Sequence, residues 1–320
     1  MGIRGLVGYL KAKLPQVKKP VAWTAGQSWA IDCSCLLYRA RAAGLSPMTV
    51  VASLLVRMRR MNITPIVIFD GRPPATKSEV TEQRRADRNA AQQEIDRLRL
   101  QLEQANTEQE RGLIENRLLE LQRKAPPVTR SDKDELKQFL YAAGVVALTP
   151  NGEADDVLAY LARTGQIQAV VSSDMDMLAR GVECLIVPET DDTMILSQYR
   201  LPDVLSGLGV TYEQFVEACM MMGTDYTPRV WRTVPPGLAI QMVRGGQRWN
   251  PIQHGEEMCT SMWNGVNLLT GVGVEWLSLM GDKQYEKWAA GAPPKELENL
   301  AQWGVQNVWP LDWVQTLAIL

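Results

Sequence analysis

The chain has 320 residues, with 34 basic against 36 acidic groups, a single histidine, five cysteines and 46% hydrophobic content. Such a composition supports a full core in one large domain or two closely associated ones, and excludes a fibre or a wholly disordered chain. No apolar stretch approaches the roughly 18 residues that span a bilayer, and the start MGIRGLVGYLKAK lacks a secretory signal, so an intracellular location without membrane contact is expected.

Three apolar runs in the first 180 residues each close on an acid: SWAID at Asp32, TPIVIFD at Asp70 and IQAVVSSD at Asp174. Their length and aliphatic content predict buried parallel strands. Between the first two, SPMTVVASLLVRMRRMN places Ser46 and Pro47 at the start of a helix with apolar positions at helical spacing, the crossover that parallel strands require. Residues 78–124 interrupt the pattern. The segments EVTEQRRADRNAAQQEIDRLRLQLEQA and NTEQERGLIENRLLELQRK are rich in strong helix formers, Thr107 and Glu110 fit a capping box, and Pro126-Pro127 stops the second segment. Two antiparallel helices turning near Asn106 are expected, against the alternative of a coiled-coil dimer arm.

Next, GVVALTP predicts a fourth strand and GEADDVLAYLARTG a helix with Gly165 past its end. From about residue 200 the pattern is helical, through LPDVLSGLG, TYEQFVEACMMMG and GLAIQMVRGG. Eight of the ten tryptophans follow residue 230, which predicts a packed C-terminal helical layer. The alternation implies an α/β fold around a mainly parallel sheet with helices on both faces, and in such sheets ligands bind outside the carboxyl ends of the strands. The scattered cysteines (Cys33, Cys35, Cys184, Cys219, Cys259) and the lone His254 assemble neither a disulfide framework nor a zinc site, so any metal is expected to be a hard cation held by oxygens.

Seven carboxylates fall where this topology gathers them. Asp32 and Asp70 close strands, Glu153 and Asp155 open a helix, Asp174 and Asp176 lie in SSDMD, and Asp225 lies in GTDY. At an effective dielectric near 20, two unit charges about 5 Å apart repel by roughly 3 kcal/mol, so such a cluster calls for counter-cations. Two Mg²⁺ ions would supply them, and such a pair can ionise a water and stabilise the leaving oxygen of an in-line phosphoryl displacement. With those seven acids set aside, 34 basic groups face 29 acids, so the formal net charge of −2 does not exclude a polyanionic substrate.

The motifs MGIRGL, AIDCSCLLY, VIFDGRPPATKSE, GEADD, SSDMDML and GTDY, in that order over roughly residues 1–230, resemble the flap endonuclease and xeroderma-pigmentosum-group-G (XPG) family of structure-specific 5′ nucleases. The resemblance implies a PIN-like core over 1–200 with a helical arch at 78–124, a helix-hairpin-helix-like DNA-binding region over 201–250, and a Trp-rich helical region over 251–320. It implies that Asp32, Asp70, Glu153, Asp155, Asp174, Asp176 and Asp225 are catalytic metal ligands for two Mg²⁺, which Mn²⁺ can replace. Lys77 and Arg84 match the basic pair at the base of the arch that contacts the scissile phosphate. Positions seven apart also share a helix face. Tyr38 matches an aromatic on which a nucleobase stacks, and Gly2 a terminus beside bound DNA. Arg85, Arg88, Arg229 and Arg232 are further DNA-binding candidates. The implied activity is Mg²⁺-dependent 5′ flap endonuclease and 5′–3′ exonuclease hydrolysis leaving 5′-phosphates, on branched DNA with a 5′ single-stranded flap or 5′ end, in replication, recombination and repair.

Two departures accompany the resemblance. Where many relatives carry a G-I-G-P-x-x-A hairpin, this chain has TVPPGLAIQMV, with Thr233 and Pro235 at the glycine positions, and proline lacks an amide donor. Arg229, Arg232, Arg244 and Arg248 are the available electrostatic substitutes. After residue 250 no sliding-clamp-binding box or basic tail is recognisable, and together these features resemble virus-encoded members, expected at cytoplasmic replication sites where cellular members are nuclear. A non-catalytic junction-binding scaffold on a nuclease fold is the rival from another class, and a ribonuclease of the wider PIN-like group is a weaker one. His254 is expected as a packing or surface residue, Asp156 as a helix-surface acid, Asp191-Asp192 as turn acids, and Glu256-Glu257 as a first-turn pair.

Overall fold

A computed structural model describes residues 2–72, 78–124, 128–190, 195–225 and 233–247, without the side chains of 78–81, 84 and 122–124. Helix α1 (Leu6–Lys13) leads through a short 3₁₀ turn to strand β1 (Lys18–Pro20). Strand β2 (Ser28–Asp32) runs directly into α2 (Cys33–Ala42), and α3 (Pro47–Arg60) returns the chain to β3 (Thr64–Ile68). After α4 (Ser78–Gln104), α5 (Glu108–Lys124) and α6 (Arg130–Ala142) come β4 (Val146–Leu148), α7 (Ala154–Arg163) and β5 (Ala169–Val171). The short α8 (Asp176–Ala179), β6 (Cys184–Pro188), β7 (Leu196–Arg200), α9 (Leu201–Leu208), α10 (Tyr212–Met222) and α11 (Pro236–Arg244) complete the described chain.

The seven strands form one sheet in the order β1-β7-β6-β5-β2-β3-β4. Pairings from β6 through β4 are parallel, and only β7 with its two neighbours is antiparallel. The mainly parallel sheet expected from the sequence is therefore present, with β1, β6 and β7 added. Side chains alternate across it as a two-residue period demands. Ala30, Ile66, Ile68 and Val170 enter one buried cluster with Leu6, Leu10, Leu158 and Phe215. Trp29, Ile31, Val67, Val171 and Ile186 enter the other with Val51, Leu55, Phe139 and Leu140. Burial on both faces explains why the strands read as continuous apolar runs.

Helices α4 and α5 pair with each other through Ile95, Leu98 and Leu121, flanked by Ile114 and Leu118. The Thr107 hydroxyl accepts the Glu110 amide at 3.2 Å and starts α5. These helices thus pair within one chain as a hairpin, with Leu100, Leu113 and Leu119 left exposed. Helices α9 to α11 continue the first core cluster, contributing Leu201, Val204, Phe215, Cys219, Ile240 and Val243. Gly209 ends α9 in the left-handed conformation at φ 62°, the C-terminal stop that the sequence signals. Cys33, Cys35, Cys184 and Cys219 are free thiols, while Cys259, His254, Asp191-Asp192, Glu256-Glu257 and the tryptophans beyond 230 lie outside the described residues. Among the described residues no helix is long and apolar enough to cross a membrane.

Candidate nuclease site

The carboxyl ends of β2, β3, β4 and β5 point the same way, and the chain leaves each with an acid or reaches one at the next helix start. Asp32 is the last residue of β2 and caps α2: its Oδ1 accepts the Cys35 amide at 3.1 Å, and its Oδ2 accepts the Ser172 hydroxyl at 2.8 Å. Burial, with the charge of Asp70 next, pushes its pKa up to about 7. Asp70, two residues past β3, accepts the Ser34 hydroxyl and, at 3.1 Å, the amide of Ala154, the first residue of α7. One carboxylate therefore meets the positive end of a helix that begins beside Glu153.

A close backbone approach fixes that meeting. The Gly71 amide donates to the Gly152 carbonyl at 2.9 Å, and a Cβ at Gly71 would lie 2.0 Å from the Pro150 carbonyl oxygen. Only glycine fits, so Asp70 is held against the loop that carries Glu153 and leads into α7. Phe69 and Arg72 donate across the same gap to Leu148 and Asn151.

Asp174, three residues past β5, has its pKa raised to about 6 by burial and then by the charges of Asp155 and Asp225. Gly2 packs directly on it: at φ 86°, a Cβ there would come 1.8 Å from Asp174 Oδ1. The Arg4 amide donates to the Gly223 carbonyl at 3.0 Å, tying the N-terminal segment to the loop that leads to Asp225. Two electrostatic arms result. Asp70 and Asp176 act on Asp32, while Asp155 and Asp225 act on Asp174.

A side chain that the sequence did not single out bridges the arms. Arg180 follows α8 and is fully buried. Its Nη1 contacts Asp156 Oδ1 at 2.5 Å, its Nη2 lies 3.8 Å from Asp155 Oδ2, and its Nε lies 3.7 Å from Asp176 Oδ2. Asp156, expected as a surface acid, is instead the nearest partner of this cation. The periodicity of α7 buries Val157, Leu158 and Leu161 and leaves Asp155 and Asp156 on the flank facing α8.

The donor set fits a hard divalent ion in kind, being all carboxylate oxygen, and the upward shifts at Asp32 and Asp174, set by burial first and neighbouring carboxylates second, mark charges that such an ion would stabilise. Among the described residues no group of three or more acids, histidines or cysteines is gathered closely enough to hold an ion as it stands. Hydroxyl, amide and guanidinium groups engage the carboxylates instead.

The remaining expected site residues divide by position. Tyr38 is half-buried on α2, and its hydroxyl accepts from Arg88 Nη1 of α4 at 3.0 Å, so the hairpin touches the core beside Asp32. Arg85 and Arg88 are exposed on α4. Arg84 lies within α4 with its side chain outside the described residues, and Lys77, Arg229, Arg232 and Arg248 lie outside them altogether. Thr233 and Pro235 lead into α11, where Val234 donates to the Met221 carbonyl at 2.8 Å, and Arg244 is exposed at its end.

Sequence profiles of the XPG N-terminal domain and the XPG I-region match residues 1–91 and 144–225, together more than half of the chain. Flap endonuclease 1 of Entamoeba histolytica is 26% identical over 264 residues, covering 76% of this chain and 67% of that protein. Flap endonuclease 1 of Homo sapiens is 27% identical over 263 residues, covering 76% and 66%. The chain thus spans about two thirds of the length of these relatives. Among solved structures, the catalytic core of Rad2 in complex with DNA substrate superposes with a TM-score of 0.62 at 16% identity, over 99% of each chain. Flap endonuclease-1 from Methanococcus jannaschii gives 0.62 at 19%, over 94% of this chain and 95% of that one. At those identities the likeness establishes the PIN-like nuclease fold.

Proposed function

The chain belongs to the flap endonuclease and XPG family of nucleases, and from that premise we propose that it is a Mg²⁺-dependent structure-specific 5′ nuclease. Its proposed reaction is hydrolysis of a DNA phosphodiester beside a 5′ flap or 5′ end, leaving a 5′-phosphate. The observation that carries this is the convergence of strand-end and helix-start acids at one edge of the sheet, with Asp32 and Asp174 both pushed upward by burial first and by neighbouring carboxylates second. Proposed ligands are Asp32, Asp70, Glu153, Asp155, Asp174, Asp176 and Asp225. Paired divalent ions held by these residues would supply an ionised water and offset charge on the phosphate.

The chain's own groups do the rest. Burial of Asp32 and the hydroxyls of Ser34 and Ser172 fix carboxylate orientation, so little reorganisation is left for the moment of reaction. Gly2, packed directly on Asp174, is proposed to lie beside the bound DNA. Lys77 and Arg84 are proposed to contact the scissile phosphate, Tyr38 to stack the nucleobase exposed when terminal pairs open, and Arg85, Arg88, Arg229 and Arg232 to hold the backbone. The proposed place of action is replicating or recombining DNA, in the nucleus or, for a virus-encoded chain, at cytoplasmic replication sites.

The deciding experiment is cleavage of 5′-labelled flap, nicked, gapped, bubble and four-way-junction DNAs in Mg²⁺ and in EDTA. Cut flaps in Mg²⁺ alone are expected. Tight binding with no product in Mg²⁺ or Mn²⁺ would replace this function with that of a junction-binding scaffold.

A further inference from the structure

Arg180 is the least expected buried group in the molecule, because a guanidinium with no solvent exposure must be paired to be tolerated. Its pairing is unequal. Asp156, outside the proposed ligand set, makes the short contact at 2.5 Å, whereas Asp155 and Asp176, both inside it, stand at 3.8 and 3.7 Å. The Asp156 contact thus balances the cation's charge locally, and the rest of the planar fork faces two proposed ligands from different elements, one on α7 and one on α8, at ion-pair rather than hydrogen-bond distance. Its base is rigid. The Tyr212 hydroxyl of α10 donates to the Ala179 carbonyl at 2.7 Å, and Gly181 turns at φ 87° against the Arg163 stem.

We propose that Arg180, seated by Asp156, is a positioning residue that holds Asp155 and Asp176 toward each other and offsets part of the cluster's charge in the metal-free protein. A guanidinium suits this work. It stays charged at any working pH, presents donors in a fixed plane, and can hold one oxygen of a carboxylate while the other remains available. Because it is an internal cation, Asp155 and Asp176 are drawn toward one another before an ion arrives, and the ion has less repulsion left to relieve. The inference rests on the proposed function, since Asp155 and Asp176 matter to it as ligands.

The test compares the wild type, Arg180→Lys, and the paired Asp156→Asn/Arg180→Met variant. The paired change removes the cation together with its nearest partner, so Asp156 is not left as an uncompensated charge, and methionine fills the space of the stem. Each protein is melted in EDTA and across a Mg²⁺ titration, then assayed on a 5′-flap DNA. In the paired variant the Tm rise produced by Mg²⁺ should be at least twice the wild-type rise, because the ion then does all of the neutralising. Its kcat at saturating Mg²⁺ should fall at least tenfold with KM for DNA within twofold. Arg180→Lys, which keeps the charge without the fork, should restore the wild-type Tm rise but not kcat. An equal Tm loss in EDTA and in Mg²⁺ with kcat unchanged would make Arg180 an ordinary core residue and overturn the proposal. Should the paired variant not fold, wild-type kcat in Arg180→Lys would overturn it equally. A wild type that neither gains Tm in Mg²⁺ nor cuts would remove the proposed function and this inference with it.

Discussion

Replacing Asp174 by asparagine separates catalysis from stability in opposite directions. Its folded pKa of about 6 stands above the ordinary 3.8, so the native state holds this proton more tightly than the unfolded chain does. Stability therefore falls as pH rises between those two values, and above about pH 6 the whole penalty is present. Roughly two pKa units correspond to about 3 kcal/mol, and with partial solvent access about 1.5–3 kcal/mol is a realistic relief on removing the charge. Asparagine keeps the oxygen near the Asp176 amide, 3.4 Å away, so little packing is lost. In EDTA at pH 8 the variant should melt about 3–10 °C above the wild type; the difference should shrink to roughly half at pH 5 and vanish only below the unfolded value of 3.8. Cleavage in Mg²⁺ should be abolished while flap binding, followed by gel shift, persists. A variant that melts lower than the wild type at pH 8, or cuts at the wild-type rate, would refute the assignment of Asp174 to a charged, ion-dependent site.

Three further outcomes follow from the same geometry. Gly71→Ala puts a methyl 2.0 Å from a backbone oxygen that cannot move aside, so a urea melt should show a loss of about 1–3 kcal/mol, with cleavage falling as the Asp70 and Glu153 loops separate. Tyr38→Phe gives up only the bond to Arg88 and should cut within a few-fold of wild type, whereas Tyr38→Ala should weaken flap binding by the roughly 1–3 kcal/mol that a base stack supplies; equal behaviour of the two would exclude stacking. Mg²⁺ at 100 times its dissociation constant should stabilise the wild type by about 2.7 kcal/mol and flatten the decline in metal-free Tm between pH 5 and 8 set by Asp32 and Asp174. Identical pH profiles with and without Mg²⁺ would argue that no ion reaches these acids.

The parts of this fold legible in sequence are those whose physics is local or doubly buried. SWAID and TPIVIF declare themselves because both strand faces are covered, and Ser46-Pro47 and Gly165 punctuate helices at their ends. Strand β1, reading Lys-Lys-Pro, carries no apolar signal and exists only through backbone pairing with β7. Strand β7, reading LSQYR, mixes buried Ser197 and Gln198 with Tyr199, so its polar half conceals it. Ser46 starts α3 without a side-chain bond, since the proline after it already sets the first turn. Arg180 was illegible for a different reason. The composition rule that arginines lie at the surface is sound on average, and only the three-dimensional meeting of α7 with α8 overrides it. Asp156 was misplaced by the same omission, since its value depends wholly on that hidden cation.

What keeps a crowd of acids folded is a division of labour among weaker donors. Asp70 has a helix amide and a hydroxyl, Asp32 has an amide and a hydroxyl, and Asp155 and Asp176 share a guanidinium. Hydroxyls and amides orient a carboxylate without cancelling its charge, whereas a guanidinium does both. The two acids pushed to about 7 and about 6, Asp32 and Asp174, are contacted by hydroxyl and amide donors and not by the buried arginine. Asp32 and Asp174, one acid from each arm, thus hold electrostatic strain that burial and neighbouring carboxylates impose. Local tension of this kind, in an otherwise well-satisfied core, is expected where a sequence gives up stability for chemistry. It would also make ion binding and folding mutually supportive, because a cation held at Asp32 and Asp174 would offset the cost of keeping buried carboxylates charged.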